Sequence, residues 1–165
     1  MGFDSFAQVV KAEALSLTTT VPEFSLGART HQSGNEYVYV YNAAANSKIT
    51  TGQYCVVDQN GGTSFTSGYS VTVTNASLNG YLAGVAQQTF ATGTYGFVMV
   101  KGASLIALDS GAVSMNAGVE LALGTDGGFV AAGATFSTAP RFGLTLNSAV
   151  TTVGTGKARI FGSIL

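Results

Sequence analysis

Charged side chains are scarce in this 165-residue chain, because Asp, Glu, Lys and Arg together make up 9% of it, against about 25% in an average soluble domain. Apolar residues reach 46%, which is enough to form a packed core and excludes a chain disordered by composition. A monomer relies on surface charge for its solubility. We therefore expect contacts between subunits to cover part of the surface.

Clustered positive charge is also lacking. The seven Lys and Arg residues are spread along the sequence, and the formal net charge is −1. Because nucleic-acid binding depends on clustered cations that displace counterions from phosphates, we expect no nucleic-acid partner. Lys157 and Arg159 would share one side of a strand, and two charges alone predict a solvated face.

The chain has one cysteine, one histidine and no tryptophan. A single cysteine excludes an intramolecular disulfide. The N-terminal sequence MGFDSFAQVVK lacks the basic region and apolar run of a secretory signal, and no segment approaches the roughly 18 apolar residues that span a bilayer. The expectation is a protein made and assembled in the cytoplasm, with no membrane partner.

Groups for catalysis or metal binding are equally sparse. A Ser–His–Asp triad would have to use His31, which lies in a polar turn, and Cys55 lies within an apolar strand, where a buried thiol is usually inert. Residues 154–157, Gly-Thr-Gly-Lys, lack the first Gly and the final Ser or Thr of a phosphate-binding loop, since Thr151 and Ala158 occupy those positions. We expect no enzyme, no metal and no cofactor, although carboxylates that meet only in the fold could still form a glycosidase pair.

Residues 1–22 differ from the rest of the chain. Several apolar residues recur there at helical spacing: Phe3, Phe6, Val9, Val10 and Leu17. A helix of about 12 residues is marginal alone. The segment is therefore interpreted as an extended or short-helical N-terminal arm whose apolar residues contact a partner surface or a neighbouring subunit.

From residue 23 to residue 165 the pattern is that of one all-β domain. Glycine, 22 residues in all, recurs between short runs of Val, Tyr, Phe and Thr. The candidate strands are 24–30, 36–42, 53–58, 69–75, 82–88, 95–101, 104–109, 119–123, 128–132, 141–146 and 156–163. Many short strands with close turn signals predict a β-barrel or β-sandwich. Gly84 and Gly143 open strand phrases and are expected to be required for structure.

One candidate strand alternates between two kinds of side chain. Tyr37, Tyr39 and Tyr41 point to one side, and Val38 and Val40 point to the other. A row of tyrosines suits a contact between subunits, where an apolar ring and a polar hydroxyl are both useful. It equally suits a core strand whose hydroxyl groups reach the rim, and the sequence leaves both interpretations open.

Three stretches resemble a known family. GNEYVYVYNAA (34–44), GYLAGVAQQTFATGTYGFVMVKG (80–102) and the C-terminal part from RFGLTLNSAV to GKARIFGSIL (141–165) are similar to capsid decoration, or cement, proteins of tailed phages. The shared phrases are glycine turns followed by strands, and they cover most of residues 24–165 in order. The arm is the part with the least resemblance.

The resemblance implies a β-tulip-like barrel that forms a homotrimer and binds the major capsid protein on the outside of the capsid. The protein would be made in the host cytoplasm and would stabilise the assembled shell as a structural virion protein. The alternative is a β-rich tail or fibre module that binds a host surface glycan, since low charge and glycine-rich turns fit it equally well.

Overall fold

The computed structural model describes residues 15–43, 47–57, 69–73, 82–109, 115–124, 127–131, 144–146 and 155–161. These residues form ten β-strands and no α-helix, so the predicted all-β fold is confirmed. The strands are β1 Arg29–Gln32, β2 Asn35–Asn42, β3 Tyr54–Val57, β4 Ser70–Thr72, β5 Leu82–Ala86, β6 Thr94–Ala107, β7 Glu120–Leu123, β8 Phe129–Ala131, β9 Leu144–Leu146 and β10 Thr155–Ile160.

Five strands close into a barrel. They follow the order β2-β4-β3-β5-β6, and β6 then pairs with β2 to complete the ring. All pairings in the ring are antiparallel except β2 with β4, which run parallel. Closure leaves these five strands without a free edge along the paired segments, which removes sites where another chain could add a strand.

The barrel interior is filled by small and β-branched residues. Val38, Val40, Cys55 and Val98 belong to one buried cluster, which Phe90 also joins. Ile49 and Phe90 pair with each other outside the named strands through two backbone hydrogen bonds of 3.0 and 2.9 Å. Because a ring of five strands encloses little volume, small side chains from the walls fit where larger ones would not.

The outer side of the barrel packs against a second sheet. This sheet has the order β6-β10-β9-β7-β8, and its buried residues share a cluster with the outward-facing residues of β2 and β6. The cluster, called the outer core here, includes Tyr37, Tyr39, Phe97, Met99, Ile106, Leu121, Phe129, Ala158 and Ile160. The predicted alternation in β2 is confirmed, since Tyr37 and Tyr39 lie in the outer core while Val38 and Val40 lie in the interior cluster.

Strand β6 belongs to both sheets. Its first half, to Lys101, pairs with β2, and residues Gly102–Ala107 pair with β10. Gly102 has a φ of +128°, and a Cβ there would overlap the side chain of Asn35, whose Oδ1 accepts a 3.1 Å hydrogen bond from the Ala103 N–H. Separate strands over 95–101 and 104–109 were therefore a wrong prediction, because this glycine bends the strand without ending it.

The first candidate strand, 24–30, was wrong over most of its length. Strand β1 begins only at Arg29, because Gly27 adopts a φ of +82° and turns the chain before it. Phe24 instead packs edge-to-face on Tyr39 and Phe97, with ring centroids 5.2 and 5.3 Å away. Of the two glycines expected to be structural, Gly143 lies outside the described residues.

Gly84 is expected to be intolerant of a side chain. A Cβ at this position would lie 2.7 Å from the Met99 carbonyl oxygen of the neighbouring strand, and backbone cannot move aside as a flexible side chain would. Gly84→Ala should lower the free energy of unfolding by about 1–3 kcal/mol in urea denaturation. The control is Gly118→Asn, at a glycine with a φ of +81° and open space around it, where Asn adopts the same conformation. Equal stability of the two variants would remove the close-approach argument.

Candidate interaction surface

The three tyrosines of β2 have different surroundings. Tyr37 and Tyr39 are 8% and 2% exposed and lie in the outer core, which is the core interpretation of the row within a single chain. Tyr41 is only partly buried and stacks on Tyr95 of β6, with ring centroids 4.5 Å apart. A contact between subunits through this row stays a prediction, and Tyr41 is the member with accessible surface for it.

The hydroxyl groups of the two buried tyrosines, Tyr37 and Tyr39, form hydrogen bonds with polar groups. The Glu23 backbone N–H donates to the Tyr39 hydroxyl at 3.2 Å, and Thr19 Oγ1 lies 3.5 Å from the same oxygen. Asn35 Nδ2 donates to the Tyr37 hydroxyl at 3.3 Å. Each ring is thus buried while its polar tip is satisfied, which is the arrangement that makes a buried tyrosine tolerable.

The end of the predicted arm lies against the barrel. Leu15 is buried in the outer core, and Thr19 pairs with Tyr95 through two backbone hydrogen bonds of 3.0 and 2.8 Å. Leu17 and Val21 remain 56% and 70% exposed. They lie two residues on either side of Thr19, whose partner Tyr95 stacks on Tyr41. We call Leu17, Val21 and Tyr41 the rim surface.

The other apolar arm residues proposed as contacts, Phe3, Phe6, Val9 and Val10, lie outside the described residues. Their contact with a partner, like the division of the chain into an arm at 1–22 and a domain at 23–165, stays a prediction. The burial of Leu15 shows that residues near the end of the arm contribute to the outer core.

Leu15 and Leu17 form a matched pair that tests how the segment is attached. Leu15→Ala should lower the free energy of unfolding by about 2 kcal/mol, because it removes a side chain buried in the outer core. Leu17→Ala should change it by no more than about 0.5 kcal/mol, because that side chain is largely in solvent. Chemical denaturation of both variants measures the difference, and equal effects would show that Leu15 is not held in the core.

Groups able to do chemistry are dispersed in the part of the chain that the structure describes. The side chain of His31 is 72% exposed, and its Nε2 lies 3.7 Å from Glu36 Oε2, which belongs to a carboxylate that also pairs with Arg29. Across the described ranges, no three His, Cys, Asp or Glu residues are grouped as they would be to hold a metal ion.

None of the described helical turns is long and apolar enough to cross a membrane.

Cys55 is enclosed in the barrel interior, as its position between apolar residues predicted. Burial raises the pKa of its thiol from 9.0 to about 12, although a hydrogen bond with the Ala86 backbone acts in the opposite direction. The thiolate is the nucleophilic form of cysteine. Because the unfolded chain releases this proton first as the pH rises, the contribution of Cys55 to stability is complete below pH 9.0 and is lost towards pH 12.

We expect Cys55 to be unreactive in the folded protein. At about pH 8, a thiol reagent such as DTNB should label almost none of it in native protein and all of it in denaturant, because the buried thiol is neutral and inaccessible. Absorbance of the released thiolate measures both. Rapid labelling of native protein would show that the barrel opens or that the thiol lies on the surface.

The exposed sides of β6 and β10 carry residues that the sequence did not bring together. Thr155, Lys157 and Arg159 are exposed in β10 and alternate with buried residues, so the predicted common side of Lys157 and Arg159 is confirmed. In β6, Lys101, Ala103 and Leu105 are exposed in the same way. The pairing sets Leu105 opposite Lys157 and Ala103 opposite Arg159.

The chain has similarity to solved structures but not to curated sequences. No family model matches the chain, and no curated protein matches it. Among solved structures, the chain is similar to the head fiber gp8.5 N base of bacteriophage phi29, with a TM-score of 0.51 and 18% sequence identity. The match covers 78% of this chain and 98% of that chain. At this identity the similarity shows a common fold and does not by itself transfer a function.

Proposed function

We propose that this protein is a structural component of a phage virion that binds the outside of the assembled capsid and stabilises it. One observation carries the proposal: the chain shares its fold with nearly the whole of a phage head-fibre base. The family resemblance in residues 34–44, 80–102 and 141–165 supports the same class of protein. The major capsid protein is the partner that this function requires.

The mechanism is linkage between binding and assembly. A protein that binds the assembled shell and not its free subunits stabilises the shell in proportion to the logarithm of its concentration relative to the dissociation constant. At a hundredfold excess over that constant, each occupied site contributes about 2.7 kcal/mol. No catalytic group is needed, which is consistent with the dispersed carboxylates of the described ranges and with the neutral, enclosed thiol of Cys55. We accordingly propose that the protein is not an enzyme.

A homotrimer is part of the proposal. The chain has too little charge for an extensively solvated surface, and the rim surface includes the exposed large apolar residues Leu17 and Val21. Contact between copies through this rim surface would cover apolar area, as homomeric interfaces typically do. The arm residues Phe3, Phe6, Val9 and Val10 would then contact either the coat subunit or the neighbouring copy.

A fibre module that binds a host surface glycan is the second candidate. The phi29 protein is itself a head fiber, and the stacked pair Tyr41 and Tyr95 presents aromatic surface at the rim. Binding of this protein to a glycan array, abolished by Tyr41→Ala and retained by Tyr41→Phe, would favour this candidate. Gene order separates the two as well, since a capsid protein is expected beside genes for scaffold and coat proteins.

Addition of purified protein to undecorated shells tests the proposed function. We expect saturable binding and a higher temperature of shell disruption, because the ligand binds only the assembled state. Shells already occupied by the protein are the control and should bind no more. Sedimentation of the free protein should give three times the 16.7 kDa mass of one chain.

A variant that begins at residue 15 isolates the arm. It retains Leu15 and the Thr19 pairing, so it should fold, and it should bind shells at least about tenfold more weakly. Equal binding would show that residues 1–14 do not anchor the protein. Full-length protein that fails to bind shells, or that sediments as a 16.7 kDa species at micromolar concentration, would contradict the capsid role and the trimer respectively.

A further inference from the structure

The second sheet exposes a face that combines positive charge with large apolar side chains. Its residues, called the basic face here, are Lys101, Ala103 and Leu105 of β6 with Lys157, Arg159 and Phe161 at β10. The antiparallel register joins Gly102 to Ile160, so its continuation sets Phe161 opposite Lys101. Directly opposed side chains in such a pair have Cβ atoms about 4.5–5.5 Å apart, so cations and apolar groups alternate in contact range.

No carboxylate of the described residues forms an ion pair with a cation of this face. The ion pairs found among the described residues join Glu36 to Arg29 and His31, and so leave out all three cations of the basic face. Glu36 is opposite Lys101 at one border and is already engaged by Arg29. At the other border, Glu120 is separated from Arg159 by the intervening strand β9, or by about 10 Å at the usual strand spacing.

Among the described residues, the basic face differs in sign from the rest. These residues include five Lys and Arg side chains and four Asp and Glu side chains. Three of the five cations lie on this face, so two cations and four carboxylates remain in the other described parts. A partner that contacts this face gains favourable electrostatic energy when its own surface is acidic.

Apolar exposure distinguishes this face from a merely solvated one. Leu105 and Phe161 are 53% and 56% exposed, and they are two of the four large apolar residues that the described chain leaves in solvent. Protein interfaces are enriched in aromatic residues and arginine. Three cations around such residues form too small a phosphate-binding array for nucleic acid, which is typically held by about six to ten phosphate contacts.

From this geometry we infer that the basic face docks onto an acidic patch of the capsid shell protein, with Leu105 and Phe161 buried at the contact and the cations around them. The inference rests on the proposed capsid function and adds the surface and the charge of the partner to it. The three cations would accelerate and orient association, and the two apolar side chains would contribute area removed from water.

Matched charge reversals test this surface. Lys157→Glu and Lys48→Glu make the same change at two exposed lysines, one on the basic face and one outside it. We expect Lys157→Glu to weaken binding to undecorated shells more than Lys48→Glu, which should stay within about twofold of wild type. Lys157→Glu combined with Arg159→Glu should weaken it further, by roughly tenfold or more. Melting temperatures identify any variant that fails to fold, and Leu105→Ser then provides an uncharged variant of the same face.

A salt titration uses only the wild-type protein, so its result does not depend on whether a variant folds. Its affinity for shells should fall steadily between about 0.05 and 0.5 M NaCl, because screening weakens contacts between surface charges. Salt-independent binding, or equal binding by the Lys157→Glu and Lys48→Glu variants, would overturn the basic face as the docking surface and leave the capsid function standing. Absence of wild-type binding would overturn both.

Duplex DNA provides the remaining arm of the experiment. Wild-type protein should not be retained on DNA, so the charge reversals should make no difference in this measurement. If the reversals abolish DNA binding and leave shell binding unchanged, the face is a nucleic-acid site and the inference is wrong. Reduced shell binding without any DNA binding is the result that supports an acidic protein surface as the partner.

Discussion

The hydrogen bonding between β2 and β6 is the constraint on which the rest of the structure depends. This pairing closes the five-stranded ring, and the same strand β6 then continues past Gly102 to pair with β10. The barrel interior and the outer core therefore share one wall. Phe97 and Met99 face the outer core before the bend and Ile106 faces it afterwards, so the side of the strand that faces the outer core changes where β6 changes partner.

The sequence was informative where the structure depends on local pattern. Alternation of Tyr and Val in 37–41 predicted two differently packed sides, because successive side chains of a strand point in opposite directions. The glycine pattern predicted many short strands, yet at Gly102 it suggested an end to the strand where the backbone only bends. That outcome depends on Asn35, 67 positions earlier in the chain, whose side chain fills the space that a Cβ would need.

Recognition of the surface required the register between distant strands. Lys157 and Arg159 could be assigned to one side of a strand from their spacing, but Lys101 and Leu105 join them only through the pairing of β6 with β10. The same holds for the tyrosines. Their spacing gave a common side, but the burial of Tyr39 depends on Phe24 and Phe97, which the fold brings against it. A low overall charge predicted a protein that associates, without indicating which side it would use.

Cryo-electron microscopy of virions, or of shells incubated with the protein, tests the central claim most directly. The account predicts density on the outside of the capsid into which the five-stranded barrel fits, with the exposed sides of β6 and β10 turned towards the coat protein. Density found only on the tail, on the inner surface of the shell or nowhere on the particle would contradict it.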